Sequence, residues 1–212
     1  MSDPIQAAIE AAKAVAATAP APTTGLPARG TPFSLADFAL GAMNVDAYLK
    51  VKEFGLIIGN SNVLIPEVTA VIDMTTVQVT QCIKFGDPAQ YLKSYDGVSC
   101  ASGGSWEAAI MRARQIEPNA RPYDSADIPM TVSDDIKTPD GKTVLLDFGK
   151  QLGHSLSTTN KRNFKDFIAA VQNASLIGTP VKVKITAQRR TNKKGQAWGV
   201  LAFEPLGAAQ AS

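Results

Sequence analysis

The sequence predicts a mainly β domain with inserted helices, and three observations carry that prediction. Short β-branched runs recur between Asn62 and Phe85, spaced by roughly 10–12 residues, as in small barrels and sandwiches. From Val181 the apolar residues Val183 and Ile185 alternate with Lys182, Lys184 and Thr186, the period of a strand with one buried and one wet face. Asn192-Lys193-Lys194-Gly195 then supplies turn chemistry, and a second strand-like run follows from Ala197 to Phe203, stopped by Pro205.

The 212 residues, 45% of them hydrophobic and 19% charged, are enough for one domain with an ordinary core. No run approaches the length of a membrane span, and Asp3 stands where a leader would carry positive charge. A cytoplasmic protein is therefore expected, with Cys82 and Cys100 as free thiols. The single histidine, His154, and the absence of C-x-x-C or H-x-x-x-H spacing give no reason to expect a structural metal or a cofactor.

Taken in order, residues 2–17 have the caps and alanines of a short helix with a thin apolar stripe, and residues 18–32 are a Pro/Gly-rich linker. Residues 1–32 are read as a flexible arm, residues 33–207 as one domain and 208–212 as a short tail. Phe33 to Met43 predicts a helix capped by Ser34. Strands are expected over Ala47–Val51, Phe54–Ile58, Asn62–Met74 and Val77–Phe85, the last with its alternation broken once, as at a bulge. Residues 87–104 read as an elaborated loop with a short helical or hairpin turn. Ser105 caps a helix to Ile116 with Trp106, Ala109, Ile110 and Ala113 at core spacing. Ile128–Val132 reads as an edge strand because it holds Pro129. Pro139-Asp140-Gly141-Lys142 is a hairpin turn into Thr143–Phe148. Gly153 to Asn160 is a polar stretch before a helix whose face is Phe164, Phe167, Ile168 and Val171.

Three chemistries are tempting and each lacks a part. Gly103-Gly104-Ser105 precedes a helix, yet the Lys-Ser/Thr of a nucleotide P-loop is missing. The acidic segment 117–147 has no metal-nuclease spacing, and solvated loops account for it. His154, Ser155 and Ser157 have no G-x-S-x-G elbow around them, so His154 is read as a surface or packing residue. An enzyme is not expected.

Charge is the sharper signal. Between Val181 and Leu206 stand six cations against the single anion Glu204, a net +5, while the whole chain is +2. Lysines on an exposed hairpin also serve simply to block edge-to-edge pairing. Trp198 beside the tip tilts the reading, because single-stranded nucleic acid is held by basic grooves with aromatic platforms. Lys161, Arg162 and Lys165 add positive charge in the first turn of the last helix, where the macrodipole opposes it and a phosphate would favour it.

The helix followed by Leu176-x-Gly178, Val181-x-Val183-x-Ile185, Lys194-Gly195, Trp198 and Phe203-x-Pro205 resembles the C-terminal part of phage- and mobile-element-encoded single-stranded DNA-binding proteins. The resemblance covers about residues 150–207. It implies an OB-fold, a five-stranded Greek-key barrel with elaborated loops and a helix before the last hairpin, whose strands 2–3 and loops L12 and L45 hold the oligonucleotide. Gln188–Gln196 would then be L45. Thr179-Pro180 replaces a Gly-Lys pair common in the family, and Gly207 to Ser212 carries no acidic tail of the kind that recruits replication partners.

The expected function is non-catalytic, largely sequence-independent binding of single-stranded DNA, protecting strands in replication and recombination, with RNA and a homo-oligomer left open. Lys161, Arg162, Lys182, Lys184, Arg189, Arg190, Lys193 and Lys194 would contact phosphates. Trp198 would stack on bases with one or more of Tyr48, Phe85, Tyr91, Tyr95 and Trp106, unless its ring is a core plug beside Val183 and Ile185. The alternative is a phage structural or assembly protein making subunit contacts through its arm and hairpin.

Overall fold

A computed structural model describes residues 43–209; the arm, the linker and the helix expected from Phe33 lie outside them, apart from Met43. The described chain is mainly β. Its strands are β1 (Ala47–Lys52), β2 (Gly55–Ile58), β3 (Glu67–Ile72), β4 (Gln78–Phe85), β5 (Gln90–Ser94), β6 (Tyr123–Val132), β7 (Ile136–Lys137), β8 (Val144–Leu146), β9 (Gln151–Ser155), β10 (Val181–Thr191) and β11 (Ala197–Ala208). Two helices interrupt them, α1 (Trp106–Ile116) and α2 (Lys161–Asn173).

Nine of the strands form one mixed sheet in the order β11-β10-β3-β6-β9-β1-β2, with β4 joining β6 and β5 joining β4. β3 and β4 share one edge of β6: β4 pairs its first half, Tyr123 to Asp127, and β3 pairs Thr131 and Val132. β9 takes the other edge of β6, and β1 lies parallel to β9. β6 is thus central, which corrects the edge strand expected over Ile128–Val132. Pro129 is tolerated because it falls in the gap where β4 has ended and β3 has not begun, so its missing N–H forfeits no ladder bond on that side. The other unexpected prolyl position, Pro205, is inside β11, an edge strand that runs on to Ala208 beside a bulge at Lys182/Val183. The tail boundary expected at 207/208 therefore falls inside a strand.

β4 has no bulge: its registers with β5 and β6 are continuous. Cys82 and Ile83 are both buried although they point to opposite faces of the strand. On one face α1 packs Trp106, Ala109 and Ala113 over Ile83 and Phe85, making a small second core. Ser105 caps α1 as predicted, accepting from the Ala108 amide at 3.2 Å. Gly153 to Ser155, the start of the polar stretch before the last helix, belongs to β9; its period-2 pattern is short, and Leu152 and His154 supply the buried face.

The main core joins β2, β3, β6, β9, β10 and β11 to α2, whose Phe164, Phe167 and Val171 lie at helical spacing on one face. Burying each such side chain contributes about 1.5–3 kcal/mol. Phe164 and Phe167 meet Phe203 of β11 with ring centroids 5.4 and 5.6 Å away.

The sheet curls until β11 meets β1, but no ladder joins them among the described residues. Gly199 makes that approach possible: a Cβ there would stand 1.9 Å from the Lys52 carbonyl oxygen. The outer edge of β11 is met by the start of α2. Asn160 Oδ1 accepts from the Leu201 amide at 2.9 Å, and Asn163 Nδ2 donates to the Leu201 carbonyl at 2.6 Å. Asn160 thus caps a strand edge instead of its own helix, for which it makes no side-chain cap bond.

Candidate nucleic-acid interface

The long hairpin β10–β11 keeps an unbroken register from Ile185 to Thr191, placing Gln188 opposite Val200 and Arg190 opposite Trp198. Its tip is closed by Asn192, whose Oδ1 accepts from the amides of Lys194 (2.9 Å) and Gln196 (3.0 Å). Gly195 takes φ 78° there, a value other residues resist. The hairpin's one register irregularity lies away from the tip, at Lys182/Val183.

With that register Trp198 shares a face with Gln188, Arg190 and Val200, while Val183 and Ile185 point the other way into the core. The core-plug reading of Trp198 is therefore replaced. The ring is half-buried, and its Nε1 is shielded from solvent without a hydrogen-bond partner. It lines a groove of ≈ 350 Å³ between the hairpin and α2, with Thr159, Arg162, Asn163, Asp166, Arg190 and Val200. A second depression of ≈ 280 Å³ shares Asn163, Asp166 and Arg190 and runs past Gln188 and Phe203.

The eight expected cations divide into two groups. Lys182 pairs with Asp134 at 3.4 Å, Lys184 with Glu67 at 3.5 Å and Glu204 at 3.9 Å, Lys161 with Asp124 at 2.9 Å, and Arg189 with Glu53 at 2.7 Å. Such exposed pairs stabilise by at most about 1 kcal/mol, but each puts a carboxylate beside the cation and weakens its pull on a phosphate. Arg189 also sits 5.6 Å from the Phe54 ring centroid. Arg162, Arg190, Lys193 and Lys194 are exposed and make no ion pair among the described residues. The hairpin's free charge is therefore concentrated at its tip and in the groove rather than along the strand.

The aromatic expectations divide as well. Trp106 is 3% exposed and donates from Nε1 to Gln81 Oε1 at 2.8 Å, so it is core and not a base platform; helical spacing against β4 puts it there. Phe85 is likewise buried. Tyr91, 61% exposed, stands opposite Lys84 on the outer face of β4–β5. Tyr95 donates its hydroxyl to Asp127 Oδ2 at 2.9 Å, with Lys93 5.8 Å from its ring centroid. Tyr48 lies half-buried with its hydroxyl 3.5 Å from the Met43 carbonyl.

Sequence reasoning missed three residues of these surfaces. Tyr123 belongs to the acidic segment expected as solvated loop; in β6 it is half-buried beside Cys82 and Tyr91, and burial, with those neighbours, pushes its hydroxyl up to about 12. It stays a neutral donor at any ordinary pH. Asn163 and Asp166 do not stand out in the sequence, because only the apolar face of the helix and the cations of its first turn carry a signal there. The neighbouring stripe Arg162, Asn163, Asp166, Ala170 follows the same i, i+3/i+4 rule and was available to the same counting.

Two buried polar clusters support the surfaces without entering them. Asp127 is fully buried and receives Lys93 Nζ at 2.6 Å, Ser155 Oγ at 2.7 Å and Tyr95 Oη, which ties β5 across β6 and β9. His154 is buried, its Nδ1 2.9 Å from the Leu49 carbonyl and its Nε2 3.4 Å from Asn160 Nδ2. The carbonyl requires the proton on Nδ1, so Nε2 accepts from Asn160 and the ring is neutral. Burial pushes its pKa below the ordinary value, outweighing the Leu49 hydrogen bond. His154 therefore joins β1, β9 and α2 rather than activating Ser155 or Ser157. Among the described residues no three His, Cys, Asp or Glu side chains are grouped to hold a metal ion. Cys82 and Cys100 are free thiols, as expected. No described helix is long and apolar enough to cross a membrane.

No family model, curated protein or solved structure matches this chain.

Proposed function

We propose that this protein binds single-stranded DNA without catalysis, largely independently of sequence, and protects exposed strands during replication or recombination. The observation that carries the reading is the groove beside the hairpin. There two guanidinium groups without acidic partners, Arg162 and Arg190, flank an indole that is half-open to solvent. Unpaired cations beside an aromatic face are what a phosphate-linked, unstacked base requires. Lys193 and Lys194 at the tip extend the charge along the path of the backbone.

The strand order supports an OB-like barrel as the frame. Counting β3, β6, β9 and β10 as strands 1 to 4, their order in the sheet is 4-1-2-3, a Greek key, with β11 as the fifth strand beside β10. α2 lies between the third and fourth strands, as the family resemblance implies. β1 occupies the place beside strand 3, and the barrel is left partly open, a condition OB-folds tolerate. In that frame the tip at 192–196 is L45 and the β4–β5 arm belongs to L12. Tyr91, Lys84 and Tyr123 share one face of β5, β4 and the start of strand 2.

Replacing the indole tests the reading. Trp198→Ala should weaken binding to oligo-dT by about 1–3 kcal/mol and lower the melting temperature much less than a core aromatic would. A variant that binds oligo-dT as tightly as the parent would move the strand away from the groove, to the tyrosine face.

A further inference from the structure

The groove contains one group that phosphate binding does not explain. Asp166 lines both of its depressions, sharing the first with Arg162 and Arg190 and the second with Arg190, and forms no ion pair with either or with any other described cation. A carboxylate there repels a phosphate, and it would be an odd neighbour for a surface selected for the backbone alone. It is a strong acceptor for a pair of N–H donors. The guanidinium groups are matching forks for a pair of acceptors. Trp198 lines the larger depression with them, its Nε1 buried and still lacking an acceptor.

Resting on the proposed function, we infer that this groove reads one base of the bound strand and that the base is guanine. Guanine alone combines two adjacent acceptors with two adjacent donors: O6 and N7 lie along one edge, where arginine is the commonest specific partner. It also presents two adjacent donors, N1–H and N2–H, along its Watson–Crick edge, which a carboxylate accepts as a pair. Thymine has a single N–H between two oxygens. Adenine mixes donor and acceptor on both edges, and cytosine, with N3 and O2 as adjacent acceptors, has only its N4 amino group to offer a carboxylate. Stacked on Trp198, a guanine would turn acceptors to an arginine and donors to Asp166. The rest of the strand, held by phosphates and by stacking, stays unread.

The test is fluorescence anisotropy with a labelled thymidine 15-mer and the same strand carrying one central guanine, on the full chain. The guanine strand should bind roughly tenfold more tightly, and one central cytosine or adenine should not reproduce the gain. Asp166→Asn should weaken the guanine strand and bring the two affinities together. Equal affinities of the parent for all four strands, with tight binding throughout, would overturn the guanine site while leaving single-strand binding intact. No binding of any strand would remove both. Free GMP binding as tightly as the guanine strand would make the ligand a nucleotide instead of a strand and overturn this assignment.

Discussion

Several single residues have surroundings that leave them one role. His154 is neutral and hydrogen-bonded at both nitrogens, with its pKa pushed down by burial. An unfolded histidine titrates near 6.5, so below about that pH the unfolded chain binds more protons than the folded one. The stability supplied by His154 is complete above about pH 6.5 and declines as pH falls toward its lower folded value. Urea denaturation of the parent and His154→Gln should show the parent's advantage shrinking below about pH 6.5; a constant difference would mean the ring is not neutral when folded. Gly199 is as constrained for a steric reason. Gly199→Ala places a methyl against the Lys52 carbonyl and should cost about 1–3 kcal/mol. An unaltered denaturation midpoint would mean that β11 and β1 do not meet.

At the scale of elements, α1 and α2 do different work although each presents an apolar stripe. α1 seals the β4–β5 arm through Trp106, and Trp106→Ala should cost about 3–5 kcal/mol. Its direct effect on the hairpin groove should be small; hydrogen exchange should loosen β4 and β5 before β10 and β11. α2 is both a core helix and one wall of the groove, and its Asn160 and Asn163 satisfy the edge of β11. Periodicity made both helices and the long hairpin legible, because Phe164, Phe167 and Val171, or Val181, Val183 and Ile185, repeat at spacings only one structure uses. β6 and β9 were harder. Pro129 mimics an edge strand unless it is known that its neighbours change from β4 to β3 beside it. β9 is five residues with a glycine and a histidine in its middle. The division of cations into paired and unpaired was out of reach for the same reason: Lys182 meets Asp134 and Arg189 meets Glu53 only through pairings between distant strands.

At the scale of the whole molecule, the chain's formal charge of +2 conceals a local surplus at the groove and hairpin tip. If this surplus holds the backbone of a single strand, oligo-dT binding should depend steeply on salt. Each phosphate neutralised on a single strand contributes a slope of about −0.7 in log K against log salt, so contacts from Arg162, Arg190, Lys193 and Lys194 predict about −3. Replacing both Arg162 and Arg190 by alanine should make the slope shallower by about 1.4 while the fold persists. Binding that does not change with salt, or a slope identical in parent and double variant, would contradict the account.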